Sequence, residues 1–125
     1  MIKLVFVLRR RSDLTREEFQ RHWLDRHAPL VRSYADVLGI RRYVQTHTLP
    51  DELHAALRAS RGAPEPYDGV AELWYDDLEA LAAAVATDEG RAAAVALLDD
   101  ERRFIDHDRS PLWLAREHPI VPGGA

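Results

Sequence analysis

Phe19, Trp23 and His27 follow one another at steps of four, which on a helix places them on one face. The two aromatics mark that face as the buried one. A leucine would be its ordinary occupant, and a neutral imidazole there can accept a proton, the first requirement of a general base. Two readings compete for His27. One is a base lining a cavity, with Trp23 beside the ligand; the other is a core histidine bonded to a carbonyl freed where Pro29 interrupts the helix.

Asp68, Glu72 and Trp74 share one face of a strand-like segment, with Val70 between the acids. Two carboxylates at alternate positions can supply an acid, a base or an orienter for His27. A tryptophan beside them can floor a pocket for a planar ligand. Against this, the same face can look into a subunit interface, Asp68 falls at a strand end, and a buried carboxylate requires a partner. Tyr43 and His47 share a face of another strand and can hydrogen-bond a ligand carbonyl or phenol. Their ordinary fates are amphipathic core for Tyr43 and an exposed strand end for His47. Asp106 and Arg109 read as a loop-fixing ion pair, and His22 and Arg26 as a solvated helix flank.

Other chemistries find little purchase. Glu18 and His22 have i, i+4 spacing, but no second ligand pair converges with them, so no metal site is expected. Gly69 and Gly90 are isolated, which excludes a glycine-rich phosphate loop. None of the serines sits in a nucleophile motif. The absence of cysteine excludes disulfides and thiol nucleophiles.

The elements that must position these residues follow from pattern. Ile2 to Arg9 reads as a strand apolar on both faces at its middle. Thr15-Arg16-Glu17-Glu18 is a capping box opening a helix, which Pro29 should break or offset near His27 and Gly39 should end. Ile40 to Thr48 is a second strand. A long connection, 49–66, carries prolines at 50, 64 and 66 and a short amphipathic segment around Leu53, Ala56 and Leu57; connections of this length tend to be lids or binding loops. Tyr67 to Tyr75 is a third strand. Asp76 or Asp77 caps a helix with the stripe Leu78, Leu81, Val85, interrupted at Thr87–Gly90 and resumed from Arg91 to about Phe104. Pro111 to Glu117 is the fourth strand. The order strand–helix–strand, twice, is the ferredoxin-like βαββαβ pattern of an α+β protein with a four-stranded antiparallel sheet. One domain over 1–119 with a tail, 120–125, is expected.

With 125 residues, 46% hydrophobic and 30% charged, the chain has the balance of one globular domain. The net charge of −4, with acids and bases mixed, argues against nucleic acid as partner. Arg9-Arg10-Arg11 is too short a basic cluster to change that, and reads as a solvated turn. No apolar run reaches a membrane span and the start does not read as a signal peptide, so a cytoplasmic protein without membrane association is expected. Two helices on one face of the sheet leave the other bare, although the first strand is apolar on both sides. A symmetric second copy is the simplest cover, so a homodimer is expected.

The chain resembles the EthD-type proteins, a branch of the dimeric α/β-barrel superfamily, over about residues 1 to 119. The resemblance rests on Ile2-Lys3-Leu4-Val5-Phe6-Val7-Leu8-Arg9-Arg10, Thr15 to Phe19, and Trp23-xxx-His27-Ala28-Pro29-Leu30-Val31. Tyr67-Asp68-Gly69-Val70-Ala71-Glu72-Leu73-Trp74 and Phe104-Ile105-Asp106 continue it. It implies a dimer whose two sheets form a barrel, with a cavity between sheet and helices in each subunit. Relatives include methylmuconolactone isomerases, polyketide cyclases and decarboxylases, cofactor-free monooxygenases and proteins linked to ether degradation. The family's His-x-Pro pattern weighs His27 toward function. Haem-using members exist in the superfamily, but nothing singles out an axial histidine here, and no cofactor is expected. The function so implied is acid/base chemistry on a small aromatic or lactone-like molecule, with His27, Glu72 and Asp68 as catalytic groups and Trp23, Tyr43, His47 and Trp74 around the substrate. A non-catalytic binding or accessory protein, using the same cavity, is the alternative.

Overall fold

In the computed structural model, which describes residues 1–123, four strands form one antiparallel sheet in the order β2-β3-β1-β4. They are β1 (Ile2–Leu8), β2 (Arg42–His47), β3 (Gly69–Tyr75) and β4 (Leu112–Ala115). The last two residues of the expected 120–125 tail lie outside the described residues. β1, apolar on both faces at its middle, takes a central place between β3 and β4. Register sets Phe6 opposite Ala71 on one side and Leu112 on the other, and Leu4 opposite Leu73 and Leu114. One face of the sheet therefore presents Leu4, Phe6, Leu8, Ala71, Leu73 and Tyr75. Val5, Val7, Val70, Glu72 and Trp74 point the opposite way, because side chains alternate along a strand.

Helices α1 (Arg16–His22), α2 (Ala28–Leu38), α4 (Leu78–Ala86) and α5 (Asp88–Glu101) serve the first face; α3 (Ala55–Arg61) lies in the long connection. The capping box forms as expected: the Glu18 amide donates to Thr15 Oγ1 at 3.1 Å and the Thr15 amide to Glu18 Oε1 at 3.0 Å. Asp77 and Thr87 cap α4 and α5 through the amides of Ala80 and Gly90. Gly39 ends α2 in the left-handed conformation at φ 70°, which glycine adopts without steric cost. The result is the ferredoxin-like α+β fold. Among the described residues no helix is long and apolar enough to cross a membrane.

Pro29 does not break the helix. The chain passes from α1 into α2 through a single π-helical turn, Trp23–His27, in which the Ala28 amide bonds to the carbonyl of Trp23. Proline has no amide to continue the ordinary ladder, and the turn absorbs one extra residue instead. Gln45 of β2 also donates to the Trp23 carbonyl, at 2.8 Å, and pins the turn to the sheet.

Candidate active site

The core falls into two clusters. Ile2, Val31, Leu38, Ile40, Tyr75, Ala93 and Leu97 form one, and Phe6, Leu8, Phe19, Trp23, Ala71, Phe104 and Ile105 the other. Between them, under the helices, lies a cavity of about 270 Å³. The sheet supplies Leu4, Phe6, Leu8, Ala71 and Leu73 to its wall, and the helices supply Trp23, Val31, Leu81, Val85 and Leu97. Its polar groups are His27, Tyr43, Tyr75 and Glu101.

His27 is 5% exposed and reaches this wall from the end of the π turn. Its Nδ1 lies 2.7 Å from Asp100 Oδ2 on α5. Burial works against the Asp100 carboxylate, but its hydrogen bonds with His27 and His22 outweigh that and hold the group below its ordinary value. An ionised carboxylate only accepts, so Nδ1 carries a hydrogen, and in the neutral tautomer with that hydrogen the lone pair sits on Nε2. A ring held this way is oriented and ready to take a proton at Nε2, and the imidazolium so formed keeps its carboxylate partner.

Tyr43 stands on the same wall. Its hydroxyl accepts from Gln45 Nε2 at 2.9 Å, which leaves the phenolic hydrogen free to donate. Burial raises the Tyr43 and Tyr75 phenols, so both stay neutral donors. Glu101 follows Asp100 directly and is held by His107 at 3.1 Å.

Three of the seven candidates thus share the cavity: His27, Trp23 and Tyr43. His47 sits behind Trp23, its ring stacked on the indole with centroids 4.4 Å apart, and its Nε2 meets Gln45 Oε1 at 2.8 Å. It supports the wall without forming it, and burial lowers its basicity. Asp68 is fully buried but belongs to another place. It accepts from the Arg10 amide at 2.8 Å, the Arg10 guanidinium at 2.6 Å and Arg16 Nε at 3.0 Å, and so ties the loop after β1 to the start of β3. Glu72 pairs with Lys3, and Trp74 donates to Glu117 with the Arg42 guanidinium 4.6 Å from its ring centroid. Both lie on the sheet face away from the cavity, because odd positions of β3 turn inward and even positions outward. The carboxylate that meets His27 is that of Asp100, 73 residues away in sequence, and not that of Asp68 or Glu72.

Smaller expectations also change. His22, read as solvated, bonds to the same carboxylate through Nε2. The arginine cluster is engaged by protein: Arg9 lies 4.1 Å over Tyr67, Arg10 binds Asp68 and Arg11 binds Asp13. Asp106 and Arg109 meet through their backbones, at 3.2 Å, and form no ion pair among the described residues. Leu53, on a 3-10 turn just before α3, and Leu57, within α3, are 63% and 66% exposed, so neither packs on this chain.

Residues 11–108 match the model of the EthD domain. The fold is shared over 94% of this chain and 99% of the other with an ethyl tert-butyl ether D (EthD) family protein of Bacillus halodurans C-125, at 26% identity and a TM-score of 0.63. An EthD-like protein of Ralstonia eutropha JMP134 is similar at 18% identity and a TM-score of 0.60, covering 96% of this chain and 93% of that one. SnoaB of Streptomyces nogalater, described as a cofactor-independent oxygenase, is similar at 16% identity and 0.57, over 98% of this chain and 97% of its own. No curated protein matches the sequence.

Proposed function

The chain belongs to the EthD family, and from that premise we propose a cytoplasmic, cofactor-independent enzyme that performs acid/base chemistry on a small, largely apolar, aromatic or lactone-like molecule. One observation carries this reading: the imidazole of His27, bonded to Asp100 at 2.7 Å, lines an apolar cavity of about 270 Å³. That volume lies just below the range usual for drug-sized ligands, which suits a substrate of few rings. His27 Nε2 takes a proton from carbon or oxygen of the bound molecule, and the bonding pair remains on the substrate as an enolate or phenolate. Asp100 stabilises the imidazolium, and the Tyr43 hydroxyl donates to the oxygen on which charge collects. A substrate able to delocalise that charge can then isomerise, cyclise, lose carbon dioxide or react with dioxygen. The fold similarity to a cofactor-independent oxygenase is consistent with the last of these outcomes.

The same reading includes a homodimer. Val5, Val7, Val44 and Val70 are incompletely covered on the open sheet face, and Trp113 beside them is 48% exposed. Light scattering at micromolar concentration should give about twice 14.3 kDa; a concentration-independent monomer would remove the sheet-face dimer.

The functional test begins with metabolites captured on the wild-type protein and on His27→Ala, compared by mass spectrometry. With the ligand identified, His27→Asn should keep fold and assembly while slowing turnover ~10²–10⁴-fold, the usual contribution of an acid–base group. Capture without turnover would indicate a binding protein instead. Lower stability with unchanged turnover would make His27 structural.

A further inference from the structure

The Asp100 carboxylate has a second imidazole. His22 Nε2 lies 3.1 Å from Oδ1 and 3.2 Å from Oδ2, so one histidine faces the carboxylate from the α1 side while His27 meets Oδ2 from the π turn. Since the carboxylate only accepts, His22 donates Nε2–H to it. His22 also lines a surface pocket with Glu18, Arg21, Asp25, Arg26 and Arg103. His22 therefore spans the layer between solvent and the buried pair, with its ring packed against Phe104 at 4.7 Å between centroids.

Resting on the reading of His27 as a base, we propose that His22 is a positioning residue for that base: its bifurcated hydrogen bond fixes the Asp100 carboxylate so that Oδ2 receives His27 Nδ1–H and the lone pair is kept at Nε2. A carboxylate held only by His27 is free to rotate about its Cβ–Cγ bond, a broad and soft torsion. Rotation weakens the Nδ1–H bond and lets the ring exchange its tautomer. Packing alone does not require an imidazole at position 22, because phenylalanine fills the same space against Phe104. The donor is the feature that only some side chains reproduce.

Histidine-labelled protein provides the test without any substrate. Imidazole nitrogen shifts in long-range proton–nitrogen spectra report the tautomer of each ring. In the wild type, His27 should be the Nδ1–H form and His22 the Nε2–H form. In His22→Phe, which keeps the ring packing, the Nδ1–H to Nε2–H ratio of His27 should fall about tenfold, the scale of a hydrogen bond to a charged group. His22→Gln, which restores a donor, should recover most of the ratio. An unchanged His27 tautomer in a folded His22→Phe protein, or a Gln variant no better than Phe, would overturn the proposal. Turnover of His27→Asn decides the enzymatic reading separately, so the failure of either is distinguishable from the other.

Discussion

Removing the carboxylate of Asp68 separates a structural charge from a catalytic one. The side chain is fully buried and accepts from the Arg10 amide, the Arg10 guanidinium and Arg16 Nε. Asp68→Ala leaves those donors facing a small hole. Breaking a buried ion pair by deleting one partner costs ~3–5 kcal/mol. The Arg10 side chain is 36% exposed and Arg16 also pairs with Asp51, so both cations can recover some solvation or charge balance. That argues for the lower end, about 3 kcal/mol. For a chain of 125 residues, an unfolding entropy of about 2.1 cal/mol/K per residue makes 1 kcal/mol worth about 4 °C, so Tm should fall by about 12 °C. Urea titration followed by circular dichroism gives the loss directly, with an unchanged slope if the unfolded state is unaffected. Asp68→Asn, which keeps one acceptor oxygen, should lose less. Ligand binding in the folded fraction should survive both changes. A loss below about 1 kcal/mol, or abolished turnover at unchanged stability, would refute the structural role assigned to Asp68.

Thr15→Ala should cost about 1 kcal/mol, seen as a lower urea midpoint, because it removes the hydroxyl half of the capping box. Gly69→Ala should cost about 1–3 kcal/mol by the same assay. Its Cβ would lie 2.4 Å from the Trp23 ring and 2.8 Å from the Thr46 carbonyl, and the cavity wall would have to move. Burial depresses the basicity of His47 in the folded chain. As pH falls below the unfolded value of about 6.5, the unfolded state binds the proton first, so this contribution is full above that pH and declines beneath it. The wild-type urea midpoint should therefore drop between pH 7.5 and 5 more steeply than that of His47→Gln.

The fold was readable because its causes are local. Strand-forming composition gave β1, the Thr15–Glu18 box gave the first helix start, and Gly39 gave the end of α2. Part of the cavity lining was readable for the same reason: an aromatic stripe containing a histidine identifies a buried polar position, and Tyr43 follows from strand parity. The partner of His27 was not. Asp100 lies on a helix whose composition shows no stripe pointing to it, and only the packing of α5 beside the π turn brings it within 2.7 Å. The acids on β3 misled because parity groups residues by face without saying which face receives the helices. Asp68 misled differently, since a carboxylate at a strand end gives no sign in sequence that two arginines will enclose it.

The π turn at Trp23–His27 makes the helix one residue longer than its packing requires. In an uninterrupted α-helix, Phe19 and Val31 would point roughly 120° apart, since each residue advances by about 100°. Yet both are buried, at 0% and 2% exposure. Deleting a single residue from the turn, for instance Asp25, would restore ordinary helical spacing between these two anchors while withdrawing the Trp23 carbonyl from Gln45 and swinging His27 relative to Asp100. The fold and the site thus share this helix, since Trp23 and Val31 belong both to the core clusters and to the cavity wall. A lineage that lost this one codon would forfeit the dyad together with the bond that pins the turn to the sheet.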